Sequence, residues 1–171
     1  ERDYEDIDAL ITNEPGVTLT ILTADCVPVF LVDPVKRAIG LVHSGWRGTV
    51  ARIAAKTVLC MQNTYSSNPE DILAVTGPCI CSDCYEVGDD VADAFRYEFG
   101  DKVFVRISKK VDGKSHINLS EAIAQSLYMI GVNRVIQSGF CTACNSDILF
   151  SHRVTQGKRG TLASFLAIKQ E

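Results

Sequence analysis

Three apolar runs, 17–22, 27–32 and 38–42, follow one another with short breaks near the start of the chain, and that spacing constrains the fold more than any other feature. The first, Val17-Thr18-Leu19-Thr20-Ile21-Leu22, is wholly apolar or β-branched and has no Gly or Pro, as a strand requires. Asp33-Pro34-Val35-Lys36 separates the second run from the third, so the pair predicts a hairpin with a tight loop. With those four residues as the loop, Val32 pairs with Arg37 and Cys26 falls opposite His43. Directly opposed side chains have Cβ atoms about 4.5–5.5 Å apart, close enough for a thiol and an imidazole to share a proton or a metal ion. A slip of one residue would put the two on opposite faces.

The rest of the chain alternates strand and helix patterns. Residues 8–12 read as a short strand, closed by the turn 13–16. Val50, Ile53, Ala54, Thr57, Val58 and Met61 recur at helical spacing, predicting a four-turn helix from Thr49 to about Tyr65. Residues 72–76 form a short buried strand, and 77–88 a cysteine-bearing loop. Val87, Val91, Ala94, Phe95 and Phe99 then line one face of a second helix. Runs 103–107 and 115–117 flank Asp112-Gly113, a second hairpin signal. Asn118 or Ser120 caps a third helix stopped by Gly131, and 132–137 and 161–168 are the last strands. Hairpins mixed with strand–helix–strand units predict an α+β fold: one domain over 1–171, a sandwich built on a mixed β-sheet with covering helices.

Composition excludes several functions. No apolar run approaches the roughly 20 residues of a membrane-spanning helix. The net charge of −4 with well-mixed signs, and the lack of a basic cluster, argue against a nucleic-acid partner. Seven cysteines is an odd number, and no signal peptide is visible, so a reducing, cytoplasmic setting is expected rather than a disulfide framework. The chain begins at Glu1 without a methionine, as a fragment or a processed product would.

Cys26 gains interest from its company. Asp25 precedes it, His43 lies across the hairpin, and Ser44-Gly45-Trp46-Arg47-Gly48 follows where strand gives way to helix. Backbone N–H groups there favour an anion, and Arg47 supplies a planar fork for phosphate, while Trp46 is the natural core anchor. Arg153, beside His152, is a second candidate anion contact. His116 sits in an alternating strand as a hydrogen-bonded or exposed edge residue, and the turn 157–160 reads as a solvated basic loop. Cys81-Ser82-Asp83-Cys84 and Cys141-Thr142-Ala143-Cys144 are two Cys-x-x-Cys pairs, capable in principle of a four-thiolate zinc site. The 56 residues between them (85–140) far exceed the roughly 15–20 of a compact zinc ribbon, so separate loop thiols are expected instead. Cys79 is a further thiol beside the first pair. Cys60 is expected in the core.

Taken together, Thr-Ala-Asp-Cys26-Val-Pro-Val, Asp33-Pro34 and His43-Ser-Gly-Trp-Arg-Gly48 resemble the laccase-domain family, also called the multicopper polyphenol oxidoreductase or YfiH/YlmD-like family. Gly77-Pro78-Cys79-Ile80, Cys84-Tyr85-Glu86-Val87-Gly88, Cys141-Thr142 and Phe150-Ser151-His152-Arg153 extend the likeness from about Asp8 to the C-terminus. The resemblance implies zinc-dependent purine nucleoside metabolism. Such proteins phosphorolyse adenosine, inosine, guanosine and methylthioadenosine and deaminate adenosine. It implies Cys26 and His43 as zinc ligands, with a third ligand, a histidine of an upstream Asn-Gln-Val-His motif, expected before residue 1. The chain is therefore expected to lack the N-terminal segment of the domain. Cys26, His43 and Arg47 are the candidate catalytic residues, Arg47 and Arg153 the phosphate contacts, and a purine nucleoside and phosphate the partners of a monomer.

Three rival readings follow from the same residues. A thiol hydrolase would use Cys26 as nucleophile and His43 as base. A non-enzymatic module would be built on the four-cysteine zinc site. A multicopper oxidase needs more histidines than the three present.

Overall fold

A computed structural model describes residues 7–170. The first half contains β1 (Ala9–Thr12), β2 (Thr18–Thr23), β3 (Val27–Asp33) and β4 (Ala38–Ser44), then α1 (Trp46–Val50), α2 (Ile53–Tyr65) and β5 (Leu73–Thr76). After β6 (Glu86–Val87) come α3 (Asp89–Ile107), β7 (Ser108–Val111), β8 (Lys114–Ile117) and α4 (Leu119–Tyr128). The chain ends with β9 (Arg134–Gln137), α5 (His152–Thr155) and β10 (Leu162–Ala167). Among the described residues the main sheet runs β1-β4-β3-β5-β9, antiparallel except for the parallel β5–β9 pair. A two-stranded sheet, β10-β2, and a small one, β6-β8-β7, complete the architecture. The expected α+β sandwich with a mixed sheet and covering helices is what the chain adopts.

Each strand of the central hairpin buries both faces, which is why its sequence is nearly all apolar. Val27, Val29, Leu31, Ala38 and Val42 point toward the helices, against Val58 and Met61 of α2, Phe95 of α3, and Ile123 and Leu127 of α4. Ile39 and Leu41 point the other way, onto Leu19 and Ile21 of β2. β2 itself alternates exposed and buried positions, as a strand of a sheet with one solvated face should. Cys26 and His43 continue the rows of Phe30 and Ile39, so they belong to the face that looks toward β2 and β10.

The hairpin register differs from the expected one. Asp33 stays in the strand opposite Ala38, Val32 pairs with Ile39, and His43 lies opposite Pro28 rather than Cys26. The cause is local: Asp33 Oδ1 accepts from the amides of Val35 and Lys36 at 2.9 and 3.0 Å, and Arg37 takes φ 50°, moving the loop one residue along. The resulting offset is an even number of residues, so Cys26 and His43 keep a common face as diagonal neighbours.

Three further expectations give way. The helix after His43 is broken at Arg52, which takes φ 55°, leaving a five-residue α1 and a separate α2. Arg52 is held there by an ion pair to Glu98 at 2.6 Å and a hydrogen bond from Nη2 to the Glu98 carbonyl. Residues 103–107, expected as a strand, form the second limb of α3, which bends at Gly100 with φ 72°. Phe104 and Ile107 are buried from that limb, and the strand starts only at Ser108. Val87, expected on a helix face, lies in β6, because the helix begins at Asp89 behind Gly88.

Candidate active site

The loop between β2 and β3 carries Asp25 and Cys26. Asp25 adopts φ 74°, a conformation that Asp tolerates better than most residues, and is 8% exposed. Its carboxylate accepts from Thr142 Oγ1 at 2.6 Å and from the Arg153 amide at 2.7 Å, while its carbonyl accepts from the Ile80 amide at 3.0 Å. One buried side chain thus ties the hairpin entry to two loops from distant parts of the sequence. Such strain persists only where the surroundings over-determine it.

Cys26 is half-buried and free, and its thiol lines the same clefts as the His43 ring. Small size matters at the neighbouring Gly45, where an added Cβ would stand 3.1 Å from Cys26 Sγ. On the other side of the ring, His43 Nδ1 is 2.8 Å from Asp8 Oδ1, and the His43 amide donates to the Asp8 carbonyl at 2.8 Å. With Nδ1 engaged by the carboxylate, Nε2 is the nitrogen turned toward Cys26. The Cys26 sulfur, as an acceptor for the protonated ring, raises the His43 pKa to about 9, against the opposing effect of burial and with further help from Asp8. A carboxylate behind a histidine is also the arrangement that orients metal-ligating imidazoles. The Cys26–His43 pair therefore suits either proton sharing or a soft divalent cation such as zinc.

Two clefts meet at this pair. One, of about 270 Å³, is lined by Asp25, Cys26, His43, Trp46, Arg47 and Tyr85. The other, of about 460 Å³, adds His152, Arg153 and Arg159 to Cys26, His43 and Tyr85. Arg47 is exposed and stacks over the Trp46 ring at 4.3 Å, so Trp46 is a half-buried platform as much as an anchor. Arg153 stacks over Tyr85 at 5.3 Å and donates from Nη2 to the Glu86 carbonyl at 2.9 Å. Burial pushes the Tyr85 hydroxyl up to about 12, keeping it a donor at the junction of the clefts. A larger cavity of about 680 Å³, between β1 and β2, touches the pair through Asp8 and His43 only.

Several residues take other roles than the sequence suggested. Cys60 is exposed on α2 rather than in the core. Arg159 is not part of a merely solvated turn: it lines the larger cleft, and its Nε is buried without a hydrogen-bond partner among the described residues. Thr23 Oγ1, lining the same cleft, is likewise unpartnered. The five-residue α1 is too short to supply the helix N-terminus expected to favour an anion, which leaves the guanidinium groups for that task. His116 is 7% exposed and hydrogen-bonds through Nδ1 to the Ser82 carbonyl at 2.8 Å, the structural role expected of it. Nothing in the sequence marks Asp8 as the orienting partner or Asp25 as the anchor, although Asp25 stands in the Thr23-Ala24-Asp25-Cys26 motif.

The largest departure is at the remaining thiols. Cys81, Cys84, Cys141 and Cys144 converge, with all four sulfurs within 4.8 Å of one another, a group able to hold a metal ion. The 56-residue interval that argued against this is a crossover: β5 and β9 are parallel neighbours, and the two loops leave their adjacent C-terminal ends. The parallel backbone pairing continues as an isolated β-bridge between Cys79 and Cys141, whose thiols are free. Burial opposes ionisation of Cys141, but the amides of Cys144 and Cys81 and the side chains beside it prevail, bringing its pKa to about 7. Burial, with Cys144 and Cys81 close by, moves Cys84 upward. Burial also pushes the separate Cys79 thiol up to about 12, which makes it inert.

An α+β sandwich with a Cys–His pair at a hairpin mouth flanked by arginine-lined clefts defines a class, and sequence comparison identifies it. The family described as multi-copper polyphenol oxidoreductase laccase matches residues 1–169, and the chain belongs to that family. It is 41% identical over 164 residues to a purine nucleoside phosphorylase of Bacteroides thetaiotaomicron, covering 95% of this chain and 61% of that protein. It is 38% identical over 157 residues to adenosine deaminase RL5 from an unknown prokaryotic organism, covering 90% of this chain and 59% of that protein. The crystal structure of hypothetical protein YfiH from Bacillus licheniformis superposes with a TM-score of 0.89 at 37% identity, covering 95% of this chain and 61% of that one. The chain therefore spans about three-fifths of the length of these relatives.

Proposed function

We propose that this chain carries the core of a zinc-dependent purine nucleoside phosphorylase that also deaminates adenosine. The observation that carries the reading is the contact between Cys26 and a His43 already oriented by Asp8, at the meeting of two arginine-bearing clefts. The relatives named for these two activities support it. Cys26 Sγ and His43 Nε2 would hold the zinc. A bound zinc ion with an open position supplies Lewis acidity and an acidified water, as the attack on C6 of adenosine with loss of ammonia requires.

Phosphorolysis needs an anion held beside the anomeric carbon while a phosphate oxygen displaces the base and the bond's electron pair leaves with the purine. Arg47 and Arg153, each lining one of the two clefts that share Cys26 and His43, are the candidate holders. Arg159 Nε and Thr23 Oγ1, unpartnered in the larger cleft, offer further polar contacts to phosphate or ribose. Tyr85 contributes a protonated hydroxyl between them. Adenosine, inosine, guanosine and methylthioadenosine are the substrates to assay, with inorganic phosphate, on a chain extended toward the length of its relatives. Arg47→Ala should raise the phosphate KM and lower kcat. If both constants stay at the parent values, Arg47 is not a phosphate contact.

One observation favours a second reading. Cys26, His43 and Asp8 also form a thiol–imidazole–carboxylate series, the arrangement of a cysteine nucleophile with its base and orienting group. Inactivation by iodoacetamide, combined with indifference to chelators, would select the thiol hydrolase. Loss of activity on chelation, restored by zinc, selects the phosphorylase.

A further inference from the structure

The four-cysteine group lies outside both clefts. We propose that Cys81, Cys84, Cys141 and Cys144 form a second, structural metal centre, a tetrahedral four-thiolate site for one zinc ion. It would staple the loop after β5 to the loop after β9.

Four sulfurs around one zinc at about 2.3 Å stand about 3.8 Å apart. Here every sulfur pair lies within 4.8 Å, and Cys84 Sγ and Cys144 Sγ are 3.5 Å apart, so one central ion reaches all four with small side-chain adjustments. A polynuclear iron–sulfur cluster distributes its thiolates over several metal atoms and needs a wider cage. All four residues are free thiols.

The backbone is arranged for thiolates as well. The amides of Cys81 and Cys144 both donate to Cys141 Sγ, at 3.3 and 3.4 Å, and such donors favour the ionised sulfur. Each Cys-x-x-Cys segment closes the same kind of reversal. Cys81 O accepts from the amides of Cys84 and Tyr85 at 3.1 and 3.0 Å, and Cys141 O from the amide and the side-chain Nδ2 of Asn145 at 3.2 and 2.7 Å. His116 braces the first reversal through the Ser82 carbonyl, and the Lys109 ammonium braces it through Asp83. Soft sulfur in tetrahedral geometry selects zinc over harder divalent ions.

What the staple fixes is adjacent to the reacting groups. Thr142, between the second pair, holds the Asp25 carboxylate, Ile80 holds the Asp25 carbonyl, and Glu86 holds Arg153. Opening the staple would release these contacts without removing any residue that touches substrate.

The test measures metal, not turnover, so its result is independent of whether the nucleoside chemistry proposed above is right. Zinc is quantified on the purified, chelator-washed chain, on a Cys26→Ala/His43→Ala variant, and on a Cys84→Ser/Cys144→Ser variant. The first two should each retain about one tightly held equivalent, and the third should lose it. X-ray absorption at the zinc edge of the Cys26→Ala/His43→Ala protein should give a shell of four sulfurs. Should either variant fail to fold, absorption and cobalt substitution of the unaltered chain decide the matter. A four-sulfur shell with intense thiolate charge-transfer bands upholds the site, and a single equivalent of metal in a mixed sulfur–nitrogen shell overturns it. Absence of tight metal from the Cys26→Ala/His43→Ala protein, native disulfides among these cysteines, or polynuclear iron would overturn it too.

Discussion

At the scale of single residues, Asp25 and Asp8 do most to shape the site. Asp25 combines a positive φ with two acceptor contacts in a buried setting. Replacing it by Ala leaves Thr142 and the Arg153 amide without their acceptor, at a positive φ that Ala tolerates less well than Asp. We expect Asp25→Ala to cost about 2–4 kcal/mol, read as a lowered urea midpoint, with Asp25→Asn recovering part of it. Asp8 is half exposed and contributes little to stability, but it fixes which nitrogen of His43 faces Cys26. Asp8→Asn should weaken zinc at the Cys26–His43 site roughly 10- to 100-fold in a chelator competition, with unfolding unchanged. That Cys26, His43, Arg47 and Arg153 gather around two adjoining clefts was legible in the sequence, because each has a chemistry that its neighbours advertise. Asp8 and Arg159 were not. A carboxylate or guanidinium in a loop looks the same whether it meets water or a buried partner, and only the three-dimensional arrangement distinguishes them.

At the scale of elements, hydrophobic periodicity located most strands and helices and failed where a single residue broke the pattern. The helical spacing after Thr49 runs straight through Arg52, whose left-handed turn is sustained by Glu98, a partner 46 positions away. The apolar residues 103–107 have the composition of a strand, yet they sit on the far limb of a bent helix. Gly100 makes that bend possible. An added Cβ at Gly100 meets nothing within 4 Å, so space is no obstacle and the backbone alone sets the effect. With φ 72° and ψ 160°, a conformation essentially reserved for glycine, Gly100→Ala and Gly100→Asn should each lower stability by about 1–3 kcal/mol in thermal or urea unfolding. The hairpin offers the complementary case. Its existence and shared face followed from sequence, while its register depended on a side chain, Asp33, capping the turn from within the strand.

For the molecule as a whole, the main sheet separates two apolar clusters, one under the helices and one under β2 and β10. If the layers unfold as one unit, Ile123→Val and Ile21→Val should each cost about 0.5–1.5 kcal/mol and add to within about 0.5 kcal/mol in the double variant, with one transition. Two separate transitions would mean that the layers melt independently. The layered class was readable from the order of strand and helix patterns. The meeting of the cysteine loops was not, because a parallel pair joins segments that are remote in sequence and leaves no local mark. The pairing of β2 with β10 reaches further still, joining Thr18–Thr23 to Leu162–Ala167. Closing so long a loop is entropically slow, and contacts between near neighbours form first. The β3–β4 ribbon should be in place early, while the walls around Cys26 await the last strand. The reactive thiol would then stay open to solvent through most of folding, and stopped-flow labelling with a thiol reagent should find Cys26 protected later than Val29 and Val42 gain amide protection.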